Sequence, residues 1–276
     1  MASGALQELF GLELDALTMS EAVAVCDRAV ATRHPSVIGV VNAAKIVKMR
    51  SDALLRDSLL TCDLILADGQ AVVWASRLLG SPVPERVAGI DLFEQLLRNA
   101  NAKRRSVYLL GARPDVLDAL QARIRTRFPG VRIAGAHDGY FGEEAAEQIA
   151  ADIRRAEPDM LFLGMSSPKK ETFLARYGAT LGVPLMHGVG GSFDVLAGIT
   201  KRAPVRWQRL GLEWLYRLLQ EPRRMWRRYL VTNTAFVCLI VRERIRRTPL
   251  YWPAEATQHR RPPRRRKLGA GRQHAA

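Results

Sequence analysis

The feature that most constrains this chain is an alternation of short apolar runs with longer stretches of helical periodicity, which continues to about residue 190. The short runs are rich in β-branched residues and have the length of strands: Ser36–Val41, Asp63–Ala67, Ser106–Leu110, Val131–Ala134, Asp159–Leu163 and Val183–His187. The helix-like stretches are Ala43–Thr61, Gln70–Leu79, Leu92–Ala102, Pro114–Phe128, Glu143–Ala156 and Pro168–Leu181. This alternation predicts an α/β fold with a Rossmann-like, mostly parallel sheet and helices on both faces.

The pattern changes after Gly191, where basic and aromatic residues become frequent. An amphipathic helix is predicted over Ala203–Leu219, and a second helical stretch runs from Arg223 to about Arg246. The chain therefore divides into a Rossmann-like domain (1–200), a basic helical appendage (201–247) and a disordered Arg/Pro-rich tail (248–276).

The charge of the chain is strongly asymmetric. Residues 201–276 hold 20 Lys and Arg against four Asp and Glu, whereas residues 1–200 are nearly neutral. This imbalance favours an anionic partner, either nucleic acid or an anionic membrane surface; a merely solubilising tail is the plainer alternative. The longest apolar run, 235–241, is too short to span a membrane, and the first residues lack the features of a secretory signal. The three cysteines form no CxxC pair, so we expect a cytoplasmic protein.

Small or polar residues follow the predicted strands, at the edge where a doubly wound sheet binds its ligands. Asn42 follows the first strand and Asp68 the second, and glycines follow later ones: Gly111, Gly164, Gly188, Gly190 and Gly191. A carboxylate at the position of Asp68 could remove a proton from an attacking hydroxyl. The alternative is that Asp68 caps the next helix or forms a turn with Gly69. The glycines at 188–191 can wrap a phosphate or ribose, although tight turns need glycine too.

A helix is predicted to begin near Ser167, with that serine as N-cap and Pro168 in the first helical position. Lys169 and Lys170 in the first turn oppose the helix dipole unless an anion binds nearby. The segment is therefore a candidate phosphate site, and two solvated lysines are the alternative.

Arg86 lies between Pro84 and the predicted helix cap Asp91. Its guanidinium suits the bidentate recognition of a diphosphate or carboxylate, and a plain surface arginine is the alternative. The loop 137–141 is either a wall of the site or an ordinary turn, and His187 is interpreted as a buried, hydrogen-bonded histidine. The sequence contains no HExxH motif, no clustered Cys and His, and no DxD pair, so we expect no metal site.

Several segments together form a recognisable ordered set: VNAAKIV, LADGQAVVWASRLLG, PERVAGIDLFEQLL, YLLGARP, LFLGMSSPKKE, GVGGSFDVLAGITKRAP and RWQRLGLEWLYRLLQEPRR. Over about residues 20–230, the chain resembles the WecG/TagA/CpsF glycosyltransferases. The resemblance implies transfer of a sugar from a UDP-sugar to a polyprenyl-diphosphate-linked sugar, with inversion at the anomeric carbon and without a required metal or other cofactor. It also implies an appendage that docks peripherally on the inner face of the cell membrane and completes the active site. Soluble homo-oligomers are compatible with such a family.

The resemblance also assigns roles to individual residues. The family's catalytic aspartate falls on Asp68, its conserved asparagine on Asn42 and the arginine of its PERV motif on Arg86. The appendage arginines that the family is thought to place on the diphosphate fall on Arg217, Arg224 and Arg227. The substrate-binding set is completed by Lys170, Asp194 of the GVGGSFD motif and the glycines at the strand ends: Gly111, Gly164, Gly188, Gly190 and Gly191.

Two positions depart from the common family pattern. Val40 replaces a threonine, and Lys170 replaces a glutamine. A lysine cannot accept a hydrogen bond from a sugar, but it can bind phosphate or a sugar carboxylate, which strengthens the case for a uronic-acid donor. We therefore expect N-acetylmannosamine, its uronic acid, or a glucose or glucuronic acid relative to be transferred in exopolysaccharide or cell-envelope synthesis.

Two rival functions compete with this hypothesis. One is a nucleic-acid-binding protein that uses the basic tail, but the tail carries no recognition motif, so we expect no specific nucleic acid partner. The other is a Rossmann-type oxidoreductase or nucleotide-binding protein, for which the chain lacks a complete GxGxxG motif.

Overall fold

The computed structural model describes residues 6–246. Its strands are β1 (Leu6–Leu9), β2 (Leu12–Asp15), β3 (Ser36–Val41), β4 (Leu64–Ala67), β5 (Ser106–Gly111), β6 (Arg132–His137), β7 (Met160–Gly164) and β8 (Leu185–Gly188). Its helices are α1 (Met19–Ala31), α2 (Ala43–Lys48), α3 (Ala53–Leu60), α4 (Gln70–Leu78), α5 (Gly89–Lys103), α6 (Pro114–Arg127), α7 (Glu143–Ala156), α8 (Lys169–Tyr177), α9 (Ser192–Ala197), α10 (Val205–Arg209), α11 (Glu213–Gln220) and α12 (Pro222–Arg246). A short 3₁₀ turn, Gly178–Thr180, follows α8.

The strands β3 to β8 form one parallel sheet in the order β4-β3-β8-β7-β5-β6, and β1 and β2 form a separate antiparallel hairpin. Residues of α1, α5, α6 and α9 pack against one face of the sheet. The hairpin and α2, α3, α4, α7 and α8 contribute the apolar residues that cover the other face. The predicted α/β fold with a parallel sheet and helices on both faces is therefore confirmed, and apolar burial on both faces is its main driving force.

Two stretches that were each predicted as one helix form two helices in the structure. The stretch Ala43–Thr61 forms α2 and α3, because the carboxylate of Asp52 caps a new helix by accepting a hydrogen bond from the N–H of Leu55 (2.9 Å). The stretch Ala203–Leu219 forms α10 and α11, because Gly211 between them has a φ of 70° that a helix cannot contain.

The appendage is attached to the sheet domain by the second half of α12. Phe236 is buried, and its ring lies edge-on to Phe10 of the hairpin turn at 5.4 Å. Glu243 accepts a hydrogen bond from the N–H of Phe10 (3.3 Å). The first half of α12 instead exposes Trp226 and Leu230 to solvent. Within residues 6–246, no helix combines the length and apolarity needed to cross a bilayer. The predicted tail 248–276 lies outside the described residues.

Two glycines at strand ends are required for packing. A Cβ on Gly164 would lie 2.2 Å from the ring of Phe193, which is fully buried, and a Cβ on Gly111 would lie 2.5 Å from the backbone of Gly164. The strand ends can therefore pack against each other and against α9 only where these side chains are absent.

Replacing Gly164 with alanine is expected to lower the free energy of unfolding by about 1–3 kcal/mol, because the core must shift to admit the methyl group. Denaturant unfolding measures this change. Gly191→Ala is the matched control, since its Cβ would meet no atom within 4 Å and its φ is −70°. Equal stability of the two variants would contradict a packing role for Gly164.

Candidate active site

Asp68 lies directly after β4, beside the end of the neighbouring strand β3. Its N–H donates to the carbonyl of Val41 (2.8 Å), and its Oδ1 accepts a hydrogen bond from the N–H of Gly89, the first residue of α5 (3.0 Å). The helix that follows Asp68 has Gly69 as its N-cap and receives no side-chain cap bond, so the alternative that Asp68 caps α4 is wrong. The carboxylate is half-buried at the edge of the sheet where ligands bind in this fold.

The surroundings of Asp68 suit a proton acceptor. Burial raises the pKa of its carboxyl; the Gly89 N–H and the positive charges of Lys45 and Arg86 lower the pKa, and the negative charge of Glu213 raises it. A carboxylate whose proton affinity is raised is a stronger general base than an ordinary solvated aspartate.

Asn42 and Lys45 approach Asp68 from the end of β3. The side-chain oxygen of Asn42 accepts a hydrogen bond from the N–H of Lys45 (3.0 Å) and thereby caps α2. The ammonium of Lys45 donates to the carbonyl of Val40 (2.8 Å). Burial and the nearby charge of Lys170 lower the pKa of Lys45 to about 8, although Glu171 and Asp68 oppose this effect. The sequence analysis did not predict Lys45, although its place in the first turn after Asn42 is a signal that points to it.

The two lysines at the start of α8 have different environments. Lys169 donates to the carbonyls of Gly139 (2.7 Å) and Phe141 (2.6 Å) and lies over the Phe141 ring, so it holds the loop after β6. Lys170 is buried against Gly188. The alternative of two solvated lysines is therefore wrong.

The predicted cap of α8 is also wrong. Pro168 is the N-cap, and the hydroxyl of Ser167 donates to Oε1 of Glu171 (2.8 Å) instead of capping the helix backbone. This hydrogen bond fixes a carboxylate beside Lys170, whose ammonium lies 3.6 Å from the same oxygen.

A cavity of about 70 Å³ lies where α3 and α8 meet β3. Lys45, Lys170 and Glu171 line it together with the apolar side chains of Leu59 and Leu174. Glu171 is 6% exposed, and its Oε2 has no hydrogen-bond partner among the described residues. Two ammonium groups, one carboxylate and apolar walls suit a ligand that carries both hydroxyl and anionic groups.

The glycine segment after β8 forms the neighbouring wall. The N–H groups of Val189 and Gly190 donate to the carbonyl of Leu163 (2.9 and 3.2 Å), and Gly191 is the exposed N-cap of α9. Asp194 lies half-buried in the first turn of α9. The structure thus brings Gly188 and Gly190 close to Lys170. Gly111 and Gly164 end strands β5 and β7 of the same sheet edge, where their lack of side chains serves packing.

Arg86 is engaged by acidic side chains. It forms ion pairs with Glu213 of α11 and, at 3.5 Å, with Asp91 of α5. The prediction of Asp91 as a helix cap is wrong, because Ala88 is the N-cap of α5 and Asp91 lies in its first turn. Arg202, which was not predicted, pairs with the same two carboxylates.

The three appendage arginines lie on the last two helices. Arg217 is in α11, and Arg224 and Arg227 are in α12. The side chain of Arg227 is exposed, and those of Arg217 and Arg224 lie outside the described part of the structure. Their roles stay predictions.

Two further expectations concern His187 and metals. His187 is fully buried, its Nε2 lies 3.2 Å from the carbonyl oxygen of Gly89, and burial lowers its pKa to about 4, so it is a neutral core histidine as predicted. Across residues 6–246, no three side chains of the His, Cys, Asp and Glu types come close enough to hold a metal ion. The loop after β6 has the hydrogen bond of an ordinary turn, in which Asp138 accepts from the N–H of Tyr140 (2.7 Å); its role as a wall of the site stays a prediction.

Near its carboxyl edge, the open parallel sheet carries a carboxylate of raised pKa, the buried Lys170, the half-buried Lys45 and a network of two arginines. This is the arrangement of an α/β enzyme that acts on polar, anionic substrates. The family model described as "Glycosyl transferase WecG/TagA/CpsF family" matches residues 7–249. The chain belongs to this family and is a glycosyltransferase.

Two relatives carry the same name, N-acetylglucosaminyldiphosphoundecaprenol N-acetyl-beta-D-mannosaminyltransferase. The protein from Bacillus spizizenii (strain ATCC 23059 / NRRL B-14472 / W23) is 39% identical over 191 residues, which cover 69% of this chain and 73% of the relative. The protein from Bacillus subtilis (strain 168) is 36% identical over 224 residues, which cover 81% of this chain and 86% of the relative.

Proposed function

We propose that this glycosyltransferase moves a hexose-type sugar from a UDP-sugar to a sugar on a polyprenyl-diphosphate carrier, with inversion and without a required metal. The names of both relatives contain a diphosphoundecaprenol acceptor, which supports the acceptor class. The observation that carries the proposal is the carboxylate of Asp68 at the sheet edge, which accepts a hydrogen bond from the first N–H of α5 and feels the charges of Lys45, Arg86 and Glu213.

In the proposed mechanism, Asp68 accepts the proton of the acceptor hydroxyl. The oxygen then attacks the anomeric carbon from the face opposite the UDP group, the bond from that carbon to the UDP oxygen breaks, and the configuration inverts. The UDP group binds over the strand ends, against Gly188–Ser192 and the start of α8. Fixed positive groups near this edge, among them Lys170 and Arg86, stabilise the negative charge of the leaving diphosphate.

The appendage is proposed to hold the enzyme on the inner face of the cell membrane. In the described part of α11 and α12, Trp214, Trp226 and Leu230 are exposed beside the exposed basic residues Arg223 and Arg227. An amphipathic surface of this kind lies in the bilayer interface, with its aromatic groups shallowly buried and its basic groups on anionic headgroups. Such a position brings the site to a lipid-linked acceptor.

The environment of Lys170 bears on the donor sugar. Lys170 and Lys45 line the cavity between α3, α8 and β3 together with Glu171, whose carboxylate lies 3.6 Å from the Lys170 ammonium. A uronic acid would place its carboxylate on Lys170, and its hydroxyls on the unpartnered Oε2 of Glu171. N-acetylmannosaminuronic acid is therefore the favoured donor sugar, and neutral N-acetylmannosamine is the alternative that the names of the relatives support.

A donor screen tests this function. We expect transfer from UDP-N-acetylmannosaminuronic acid to a polyprenyl-diphosphate-linked N-acetylglucosamine to exceed transfer from UDP-N-acetylmannosamine, UDP-glucose or UDP-glucuronic acid. Lys170→Gln should lower the ratio of kcat/KM for the acidic over the neutral N-acetylated donor by about tenfold, the value of one charge-assisted hydrogen bond. Lys169→Gln is the matched control, because Lys169 binds backbone carbonyls of the loop after β6. Absence of transfer from every UDP-sugar would refute the proposed function.

A further inference from the structure

Four charged side chains join the appendage to the sheet domain in a closed ring. Arg202 binds both oxygens of Asp91 and, through Nε, Oε1 of Glu213 (3.1 Å). Arg86 binds Oε2 of the same Glu213 and approaches Asp91 at 3.5 Å. Each carboxylate therefore bridges both arginines, and the four side chains are only 14–34% exposed. Low exposure strengthens such pairs relative to solvated ones.

The ring is connected to the catalytic carboxylate by a short path. Asp91 lies in the first turn of α5, and the first residue of that helix, Gly89, donates its N–H to Asp68. Glu213 is the first residue of α11. A change in how the appendage docks therefore acts on the N-terminal end of α5, where Gly89 donates its hydrogen bond to Asp68. The contact is long-range in sequence, because 127 positions separate Arg86 from Glu213.

We propose, on the basis of the function proposed above, that Glu213 is a positioning residue of the transfer reaction. By bridging Arg86 and Arg202, it fixes the Arg86 guanidinium for the substrate diphosphate and couples the docking of α11 to the basicity of Asp68. The docked appendage then completes the site in two ways: it supplies the carboxylate of Glu213, and it supplies the basic residues of α11 and α12.

Electrostatics give the direction of this coupling. The charged groups that act on Asp68 are Lys45 and Arg86, which lower the pKa of its carboxyl, and Glu213, which raises it. Lys170 and Glu171 of α8 act on Lys45, and His187 is neutral. Burial still raises the pKa of Asp68 when the negative charge of Glu213 is removed, but one of the two effects that oppose Arg86 and Lys45 is lost. The carboxyl then holds its proton less tightly and becomes a weaker base.

The test compares Glu213→Gln, Glu213→Asp and the wild-type full-length chain in the transfer assay across pH. For Glu213→Gln, we expect kcat/KM to fall by about 10- to 100-fold through misplacement of Arg86, and the acid limb of its pH profile to move to lower pH. Glu213→Asp keeps the charge and should keep the acid limb of the wild type with a smaller loss of rate. Glu147→Gln, at an exposed position of α7, is the matched control that should change neither.

A purely structural role for Glu213 would lower the melting temperature and the rate without moving the acid limb, and that result would overturn the inference. An acid limb that moves equally in Glu213→Asp and Glu213→Gln would also overturn it. If Glu213→Gln shows no cooperative unfolding, the Glu213→Asp profile decides alone, because a displaced acid limb in that variant contradicts a charge effect. Transfer by the wild-type protein establishes the proposed function independently, so its failure is distinguishable from failure of this inference.

Discussion

Asp68→Asn is expected to reduce sugar transfer by about 100- to 10,000-fold, the usual contribution of a positioned general base. An asparagine side chain can still accept the hydrogen bond from the N–H of Gly89 through its oxygen, so the fold around the strand end should persist. It cannot take a proton from the acceptor hydroxyl. Transfer assays with a lipid-linked acceptor measure the loss, and calorimetric titration with UDP should show nearly unchanged binding.

The pH profile supplies a second measure of the same role. Burial raises the pKa of the Asp68 carboxyl, so activity should fall as the pH is lowered through a value above that of an ordinary aspartate, about 3.9. Asp138→Asn is the matched control, because Asp138 also follows a strand but serves a turn. Undiminished turnover by Asp68→Asn, or equal losses in both variants, would exclude Asp68 as the base.

The sheet could be predicted from sequence because five of its six strands are largely buried; only the edge strand β6 is not. Continuous β-branched runs such as Ser36–Val41 identify such strands directly, and the predicted bounds of this one match the structure. The hairpin of β1 and β2 was not predicted, because Leu9, Phe10 and Leu12 are buried by contacts with distant elements, including Phe236 of α12. A short antiparallel pair has little local signal when its partner surface lies more than 200 residues away along the chain.

The candidate site was predictable where position along a strand decides it. Asn42 and Asp68 follow β3 and β4, Gly188 ends the neighbouring strand β8, and the topology brings these strand ends together. The sequence predicts Lys170 as an anion ligand from its place in the first turn of a helix. That place does not reveal that the side chain is buried beside Gly188. Arg202 and Glu213 were missed, because their contacts with α5 and the loop before it depend on how the appendage docks.

Membrane binding should depend on the first half of α12. Trp226 and Leu230 are exposed and lie four residues apart on one side of the helix. Replacing both with serine is expected to weaken binding to anionic vesicles by about 10- to 100-fold. Each apolar side chain contributes roughly 1.5–3 kcal/mol when it is fully buried, and less in the shallow interface of a bilayer. Vesicle co-sedimentation measures this, with Leu54→Ser as the control at an exposed leucine of α3.

Point variants test this surface more sharply than removal of residues 201–276. Truncation would also delete Phe236 and uncover the hairpin, so a loss of binding could reflect a damaged core. The double variant Arg223→Gln, Arg227→Gln separates the charge contribution: it should weaken binding to anionic vesicles and leave binding to neutral ones unchanged.

Because the exposed aromatic and basic groups are proposed to bring Asp68 to a lipid-linked hydroxyl, the variant with serine at 226 and 230 should lose transfer to the membrane-bound acceptor and keep transfer to a short-chain, soluble one. Full vesicle binding by the serine variant would show that another surface of the chain meets the lipid.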